Sequence, residues 1–488
     1  MAPIPLSRSS LPRLASSIAR PTYDLTALRP GIVHLGLGGF HRAHMARYTH
    51  DLMMLRPEAA DWGIVGAGLL SADRALHTAL AAQDRLYALV ERGGEAETVT
   101  VIGALAGLAS AADVVAAIDG PGIRIVSLTV TADGYGLDQA TKALDLKHPA
   151  IARDLAQPER PTSAVGVLVE ALRRRMIAGR PAFSAMSCDN IQGNGQVLRN
   201  AVLAFAAIRD PALAGWIADH ARFPSTMVDR ITPVTTPADT AGLAERHGLA
   251  DRAPVVCERF IQWVIEDDFA DGRPDWDAVG AQFVADVAPY ELMKLRLLNA
   301  GHQCLAYFAH LCGLEFVHEA ASDPLFAEFL LAYFESEAIP TLPPVPGIDL
   351  HEFSRTLIER FSNPGVRDTV ARLCAFSSDR IPKWLIPVIC DNLASDGSVR
   401  VAAAVVASWA RYAEGTDEWG EPYEVVDQLA DSLIPIARSQ YENPTAFIEI
   451  AAVFGDLAHQ PCFVQAYSWA LDSLHRKGAR ATLEALVR

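Results

Sequence analysis

Apolar residues in the first third of the chain fall in short β-rich runs separated by helical stretches, the pattern of a parallel sheet covered by helices. Residues 31–36 (GIVHLG), 62–67 (WGIVGA) and 123–131 (IRIVSLTVT) read as strands, and 181–187 (PAFSAMS) as a later strand of the same sheet. After about residue 288 the period lengthens. Long Ala/Leu-rich stretches at 290–311, 366–374, 398–412 and 461–474 carry the spacing of helices. The pattern predicts an α/β protein: an N-terminal Rossmann-type, doubly wound sheet with extensions over residues 1–287, then a mostly α-helical domain over 288–488 that carries the substrate and catalytic groups. Residues 340–347 (PTLPPVPG) read as a stiff loop, because proline outnumbers glycine and serine. The Arg- and Ser-rich first 21 residues read as a surface lead-in. Their prolines and broken apolar run do not fit a signal peptide.

Composition narrows the function. Over 488 residues, 42 Lys+Arg against 58 Asp+Glu give a formal charge of −16, which excludes a protein that coats nucleic acid. No apolar run reaches the roughly 18 residues that span a bilayer. The seven cysteines are scattered and form no C-x-x-C pair, so neither a disulfide framework nor a zinc knuckle is expected. A reducing cytoplasm is the expected location.

Directly after the first strand comes GLGGFHRAH, residues 36–44. Glycines in such a turn let a phosphate approach backbone N–H groups at a helix start. Gly36, Gly38, Gly39 and Phe40 are therefore cofactor candidates, joined by Thr129 at the end of the 123–131 strand. The third glycine of G-x-G-x-x-G is replaced by His41. A plain βα turn, with His41 and His44 as capping or surface residues, explains the same glycines. Their i, i+3 spacing also allows a metal pair, but no nearby carboxylate or cysteine completes a ligand set. Beyond the second strand lies Asp73, placed to accept hydrogen bonds from an adenosine ribose and to repel a 2′-phosphate, with Arg74 beside it pulling toward the phosphate.

The stretch PYELMKLRLLNAGH, residues 289–302, puts Lys294, Asn299 and His302 within nine residues. A uniform α-helix would set them at 0°, 140° and 80°, with an axial spread of roughly 12 Å. That is too wide for one small substrate unless Lys294 sits in the first turn, where Pro289 and Glu291 place a helix start. The bland alternative is an amphipathic helix with solvated polar residues. A second polar cluster, SCDNIQGNG at 187–195, follows the 181–187 strand, and Asn190 can present a carboxamide N–H to an oxyanion there. Val228 and Asp229, and farther on Arg372 and Arg380, complete the candidate residues.

Taken together and in order, GIVHLGLGGFHRAH, MSCDN, MVDRITP, YELMKLRLLNAGH, RFSNP and RIPKW resemble the polyol-specific long-chain dehydrogenases/reductases over roughly residues 25 to 485. The resemblance implies an NAD-dependent, metal-independent, monomeric enzyme that interconverts a sugar alcohol and its ketose, mannitol and fructose foremost, arabinitol or sorbitol beside them. It implies Lys294 as general base, Asn190 and Asn299 around the reacting oxygen, His302 on a neighbouring hydroxyl and Glu291 in proton passage to solvent. Val228, Asp229, Arg372 and Arg380 match substrate-binding positions. The chain departs from the family at Arg380, where mannitol-active relatives often carry lysine, at Ala375-Phe376, which replaces an Asp-Gly pair, and at Ala132, where relatives carry an acid.

The chemistry asks for such residues. Oxidising a secondary alcohol removes a hydroxyl proton as hydride leaves carbon, and a lysine accepts that proton once burial and nearby positive charge pull its pKa from about 10.4 toward neutrality. Two carboxamide donors then stabilise the alkoxide-like oxygen, each by about 3 kcal/mol. Two other readings remain open at this point. Arg372 and Arg380 could pair with a substrate carboxylate, as in a hexuronate or aldonate reductase. A nucleotide-binding protein without catalysis would also keep the fold.

Overall fold

The computed structural model describes residues 2–94, 96–138, 141 and 143–488, and of Ala132 and Asp133 the backbone alone. It contains two compact units, Met1–Ala288 and Pro289–Arg488.

The first unit is built on a five-stranded parallel sheet of β1 (Pro30–Leu35), β2 (Gly63–Ala67), β3 (Leu105–Ala109), β4 (Ile125–Leu128) and β5 (Ser184–Ser187), in the order β3-β2-β1-β4-β5. This is the Rossmann order, whose direction reverses beside β1. Register aligns the carboxyl ends: Leu35 pairs with Ala67 and Leu128, and Leu128 with Ser187. Alternation along β1 feeds both faces. Val33 and Leu35 pack with Leu168, Leu172 and Phe205 from the helices Ala164–Ile177 and Asn194–Arg209. Ile32 packs on the other side with Met45, Tyr48 and Leu52 of the helix Met45–Leu55. Strand β4 is shorter than the sequence pattern predicts, because the N–H groups of Val130 and Thr131 turn to the Asp189 carboxylate.

Beside it, Tyr87–Gly93 and Ala96–Ile102 form an antiparallel hairpin, flanked by Val255–Glu258 and Ile18–Ala19. Thr226–Asp229 pairs with Gln262–Glu266 in a third sheet. The N-terminal segment is not a surface lead-in. Ile4–Pro5 pairs with Leu249–Ala250, and Leu6, Leu14 and Ile18 are buried under the hairpin, since their side chains cover apolar area that its outer face would expose.

The second unit is helical. Its helices Ala300–Leu311 and Arg400–Tyr412 are apolar nearly all round and are correspondingly sheathed by neighbours. The stretch at 366–374 is helical only over Val370–Cys374, because the Thr369 hydroxyl caps the helix there by accepting from Arg372 N–H. The stiff 340–347 loop opens with a short 3-10 turn, Ile339–Thr341.

Candidate active site

At the end of β1, Gly36 adopts φ +91°, and a Cβ there would lie 2.2 Å from Thr129 O. Only glycine fits. Gly38 and Gly39 differ: a Cβ on either would meet nothing nearer than 3.9 Å. This open space above backbone at a helix start is what a pyrophosphate needs, so the residues fit a dinucleotide. Phe40 lies in the short helix Gly39–Ala43 that follows and stacks on His44.

Thr129 underlies this turn. Its hydroxyl donates to Gly36 O at 2.8 Å and meets His34 Nε2 at 2.9 Å, while His34 Nδ1 meets Ser127 Oγ at 2.8 Å. His41 and His44 are not surface residues: both are buried, and His41 stacks on His34 at 3.4 Å between ring centroids. His41 thus replaces a third glycine with a packed ring, and neither of its nitrogens has a hydrogen-bond partner. Burial drives His34 down to about 3 and His41 well below the usual histidine range. Among the described residues no group of three His, Cys, Asp or Glu is arranged to hold a metal ion. Asp73 opens the helix Asp73–Ala81 beyond β2 and accepts from Leu70 N–H at 2.9 Å, and Arg74 is exposed.

The loop after β5 holds Asn190 exposed beside a buried anchor. Asp189 accepts from Thr131 N–H at 2.8 Å, Val130 N–H at 3.2 Å and the Tyr135 hydroxyl at 2.8 Å. Burial raises the Asp189 carboxyl although these donors oppose it. Asn194 braces the loop from the other side, donating to Asp189 O and Thr226 O. The loop that carries Thr129 and the loop that carries Asn190 are thereby tied together. Val228 and Asp229 lie buried in the third sheet, where Asp229 pairs with Gln262.

In the second unit the helix begins at Ala288, so Lys294 is past the first turn, against the placement that the angular argument required. The structure meets that argument differently: Lys294–Asn299 is wound as a π-helix. Its wider, i→i+5-bonded winding turns less per residue, so Asn299 lies closer in angle to Lys294 than the 140° of a uniform α-helix. Glu291, Lys294, Asn299 and His302 are each 7–8 % exposed, so the reading of solvated polar residues on an amphipathic helix fails. His302 stacks on Phe361 at 4.2 Å, and Asn299 Oδ1 is buried with no hydrogen-bond partner. An unsatisfied buried polar atom costs about 1–3 kcal/mol, which a ligand would recover. The proline-rich loop steadies this segment: Tyr290 donates to Pro346 O at 2.8 Å and Arg296 to Thr341 O at 2.8 Å.

Arg372 and Arg380 are engaged within their own unit. Arg372 forms a two-pronged ion pair with Asp368, its Nε 2.6 Å from Oδ1 and Nη2 on Oδ2. Arg380 donates to Arg372 O and Leu373 O at 2.9 and 3.1 Å. Gln303, next to His302, lies 3.4 Å from Leu373 O, so the helix of Arg372 rests on that of His302. Phe376 takes φ +57°, a left-handed backbone that suits the glycine of the family's Asp-Gly pair better than a bulky ring. Sequence reasoning missed Asp189, His34 and Asp368. His34 had a signal, as a polar residue inside an otherwise apolar strand; Asp189 stood only as one of several polar residues in the loop after a strand, and Asp368 had none.

A Rossmann sheet with an open glycine cradle, in a chain that also buries lysine, asparagine and histidine within nine residues, defines a dinucleotide-type oxidoreductase. The mannitol dehydrogenase Rossmann domain model matches residues 30–278 and the mannitol dehydrogenase C-terminal domain model residues 286–475, and the chain belongs to this family. It is 43 % identical over 474 residues to a mannitol 2-dehydrogenase of Cereibacter sphaeroides, covering 96 % of this chain and 99 % of that one. Among solved structures, Pseudomonas fluorescens mannitol 2-dehydrogenase in ternary complex with NAD and D-mannitol superposes with a TM-score of 0.90 at 42 % identity, over 99 % of each chain. A substrate-free D-sorbitol dehydrogenase gives 0.90 at 36 %, over 98 % of this chain and all of the other.

Proposed function

We propose that this protein is an NAD-dependent oxidoreductase that interconverts a sugar alcohol and its ketose, mannitol and fructose first among them, without a metal ion. The observation that carries the reading is the burial of Lys294 and Asn299 at the two ends of a π-wound turn, with His302 buried in the helix that continues it. Charged and polar groups are costly to bury and persist where they work.

Lys294 takes the hydroxyl proton, and burial, which disfavours an ammonium, favours the neutral amine it needs. Asn299 donates its carboxamide N–H to the oxygen as charge develops, Asn190 has the same role in the family pattern, and His302 holds a neighbouring hydroxyl. Glu291 passes the proton from Lys294 outward. Gly36, Gly38 and Gly39 would hold NAD⁺, which would supply the hydride acceptor, so that the alcohol would leave as ketone with its hydride on the cofactor and its hydroxyl proton on Lys294. Asp73 favours NAD over its 2′-phosphorylated form.

The state of the two arginines favours a neutral polyol over a hexuronate. Asp368 already neutralises Arg372, and Arg380 is turned to main-chain carbonyls, so neither offers an uncompensated guanidinium fork to a substrate carboxylate. Val228 and Asp229 complete the proposed substrate contacts. The monomeric state and cytoplasmic location proposed with this activity rest on the family resemblance; among the described residues the seven cysteines are free and no helix is long and apolar enough to cross a membrane. A panel of C4 to C6 polyols, ketoses and hexuronates, followed at 340 nm with each cofactor, tests the reading. Fructose should be reduced faster than fructuronate, and Asp368→Asn should narrow the difference by about tenfold. Faster reduction of fructuronate by the unmodified enzyme would overturn the polyol assignment.

A further inference from the structure

The π-wound turn at Lys294–Asn299 needs support from outside itself. Widening a helix to i→i+5 bonds displaces backbone groups from their α-helical partners, and such turns survive where other groups satisfy them. Here the Arg296 carbonyl accepts a hydrogen bond from the Tyr333 hydroxyl at 3.1 Å. Tyr333 is fully buried and ends the helix Pro324–Tyr333, which runs straight into a second π turn, Phe334–Ala338. That second turn is itself anchored. The Glu337 carboxylate accepts from Val401 N–H at 2.7 Å, Ala402 N–H at 2.8 Å and Ser398 Oγ at 2.9 Å, and Asn392 donates to Glu337 O at 2.9 Å. Phe334 presses its ring on Gly301, where a Cβ would lie 3.0 Å from Cζ. Arg296 is held from its side chain as well, by Thr341 O and by Asp391 at 2.6 Å.

We infer that Tyr333 is a positioning residue for proton transfer: its hydroxyl holds the π turn open at Arg296, and so keeps Lys294 in register with Asn299. The inference rests on the reading of Lys294 as the base. Without that bond the turn relaxes toward α geometry, which moves Asn299 out toward the 140° from Lys294 that a uniform α-helix gives. Tyr333 touches none of the three polar residues through any bond described above, so its effect runs through the backbone alone.

The test is Tyr333→Phe, which removes one oxygen and keeps the ring, with Tyr423→Phe as control, because Tyr423 also donates its hydroxyl to a main-chain carbonyl, that of Tyr412, at 2.7 Å. In Tyr333→Phe, kcat for polyol oxidation should fall by about tenfold or more with KM for NAD unchanged. The apparent pKa of the rate should move by about half a unit or more, and amide exchange over residues 294–301 should quicken. Tyr423→Phe should change none of these. An unmoved pH profile, or exchange at the unmodified rate, overturns the inference even if activity falls. If Tyr333→Phe does not fold, Asp391→Asn loosens the same Arg296 from a half-exposed position and must shift the same profile, or the inference fails. Exchange reports on the turn whatever Lys294 does. A fully active Lys294→Ala would refute the catalytic reading, whereas normal exchange in Tyr333→Phe refutes this inference alone.

Discussion

The glycine turn after β1 and the π turn at Lys294–Asn299 are the two places where the proposed reaction brings the chain close to a small molecule, and they are built by opposite means. The first works through residues that are small: Gly36 takes a backbone angle closed to other residues, and Gly38 and Gly39 leave space above the main chain. The second works through residues that are large and polar, buried at a cost and arranged by a helical register that no residue type demands. A turn of the first kind is written in residue identity. One of the second kind is written in the partners that hold it, here Tyr333, Thr341 and Asp391.

The comparison breaks most visibly at Gly36. Gly36→Ala sets a Cβ against Thr129 O in a strained backbone, and NADH binding by fluorescence titration should weaken by about 100-fold or more, near 2.7 kcal/mol. Unchanged binding would make the glycines those of an ordinary βα turn.

A pH titration separates the regions next. His34 and His50 are driven by burial to about 3, and His41 falls well below its usual range. Unfolding frees each to take a proton near 6.5, so the unfolded state binds more protons below that pH, and folding stability is lost as pH falls through 6.5 toward 3. Each histidine removes roughly 2 kcal/mol between pH 6.5 and 5. Glu337, beside the π turn, has the opposite sign. Burial raises its carboxyl against the donors around it, so its contribution weakens as pH rises above about 4.5 and recovers on acidification. Amide exchange at pH 7 and 5 should therefore show protection lost from β1 and β4 before the helix Arg400–Tyr412. Loss in the reverse order would contradict this.

A smaller effect sharpens the cofactor half. Asp73→Ala should raise efficiency with NADP⁺ by about tenfold, near 1.4 kcal/mol, with little change for NAD⁺. If the unmodified enzyme already prefers NADP⁺, Arg74 governs that pocket.

Four of the five strands were legible as apolar runs ended by a glycine or polar turn, and β1, β2 and β5 appear within a few residues of their expected ends, whereas β3, the short edge strand Leu105–Ala109, was not expected. The burial of the N-terminal segment was not legible: Leu6, Leu14 and Ile18 are spaced among prolines and serines with neither helical nor strand period, and only the hairpin gives them a place. The site divides the same way. Lys294, Asn299 and His302 stand out as residue types, but a uniform 100° step scatters them, and only the π register reconciles them. Asp368 explains why Arg372 need not bind an acid, and nothing in its immediate sequence marks it as the partner of Arg372.

The central claim is that Lys294 is the base, and the pH dependence of both reaction directions, with and without Lys294, tests it most directly. If Lys294 is the base, polyol oxidation needs the neutral amine and should rise with pH, while ketose reduction needs the ammonium and should fall over the same range with the same apparent pKa. Lys294→Ala should lose at least about 10²-fold in turnover in both directions and keep its affinity for NADH. Turnover within about threefold of the unmodified enzyme at every pH would contradict the account and return Lys294 to the role of a packed helix residue.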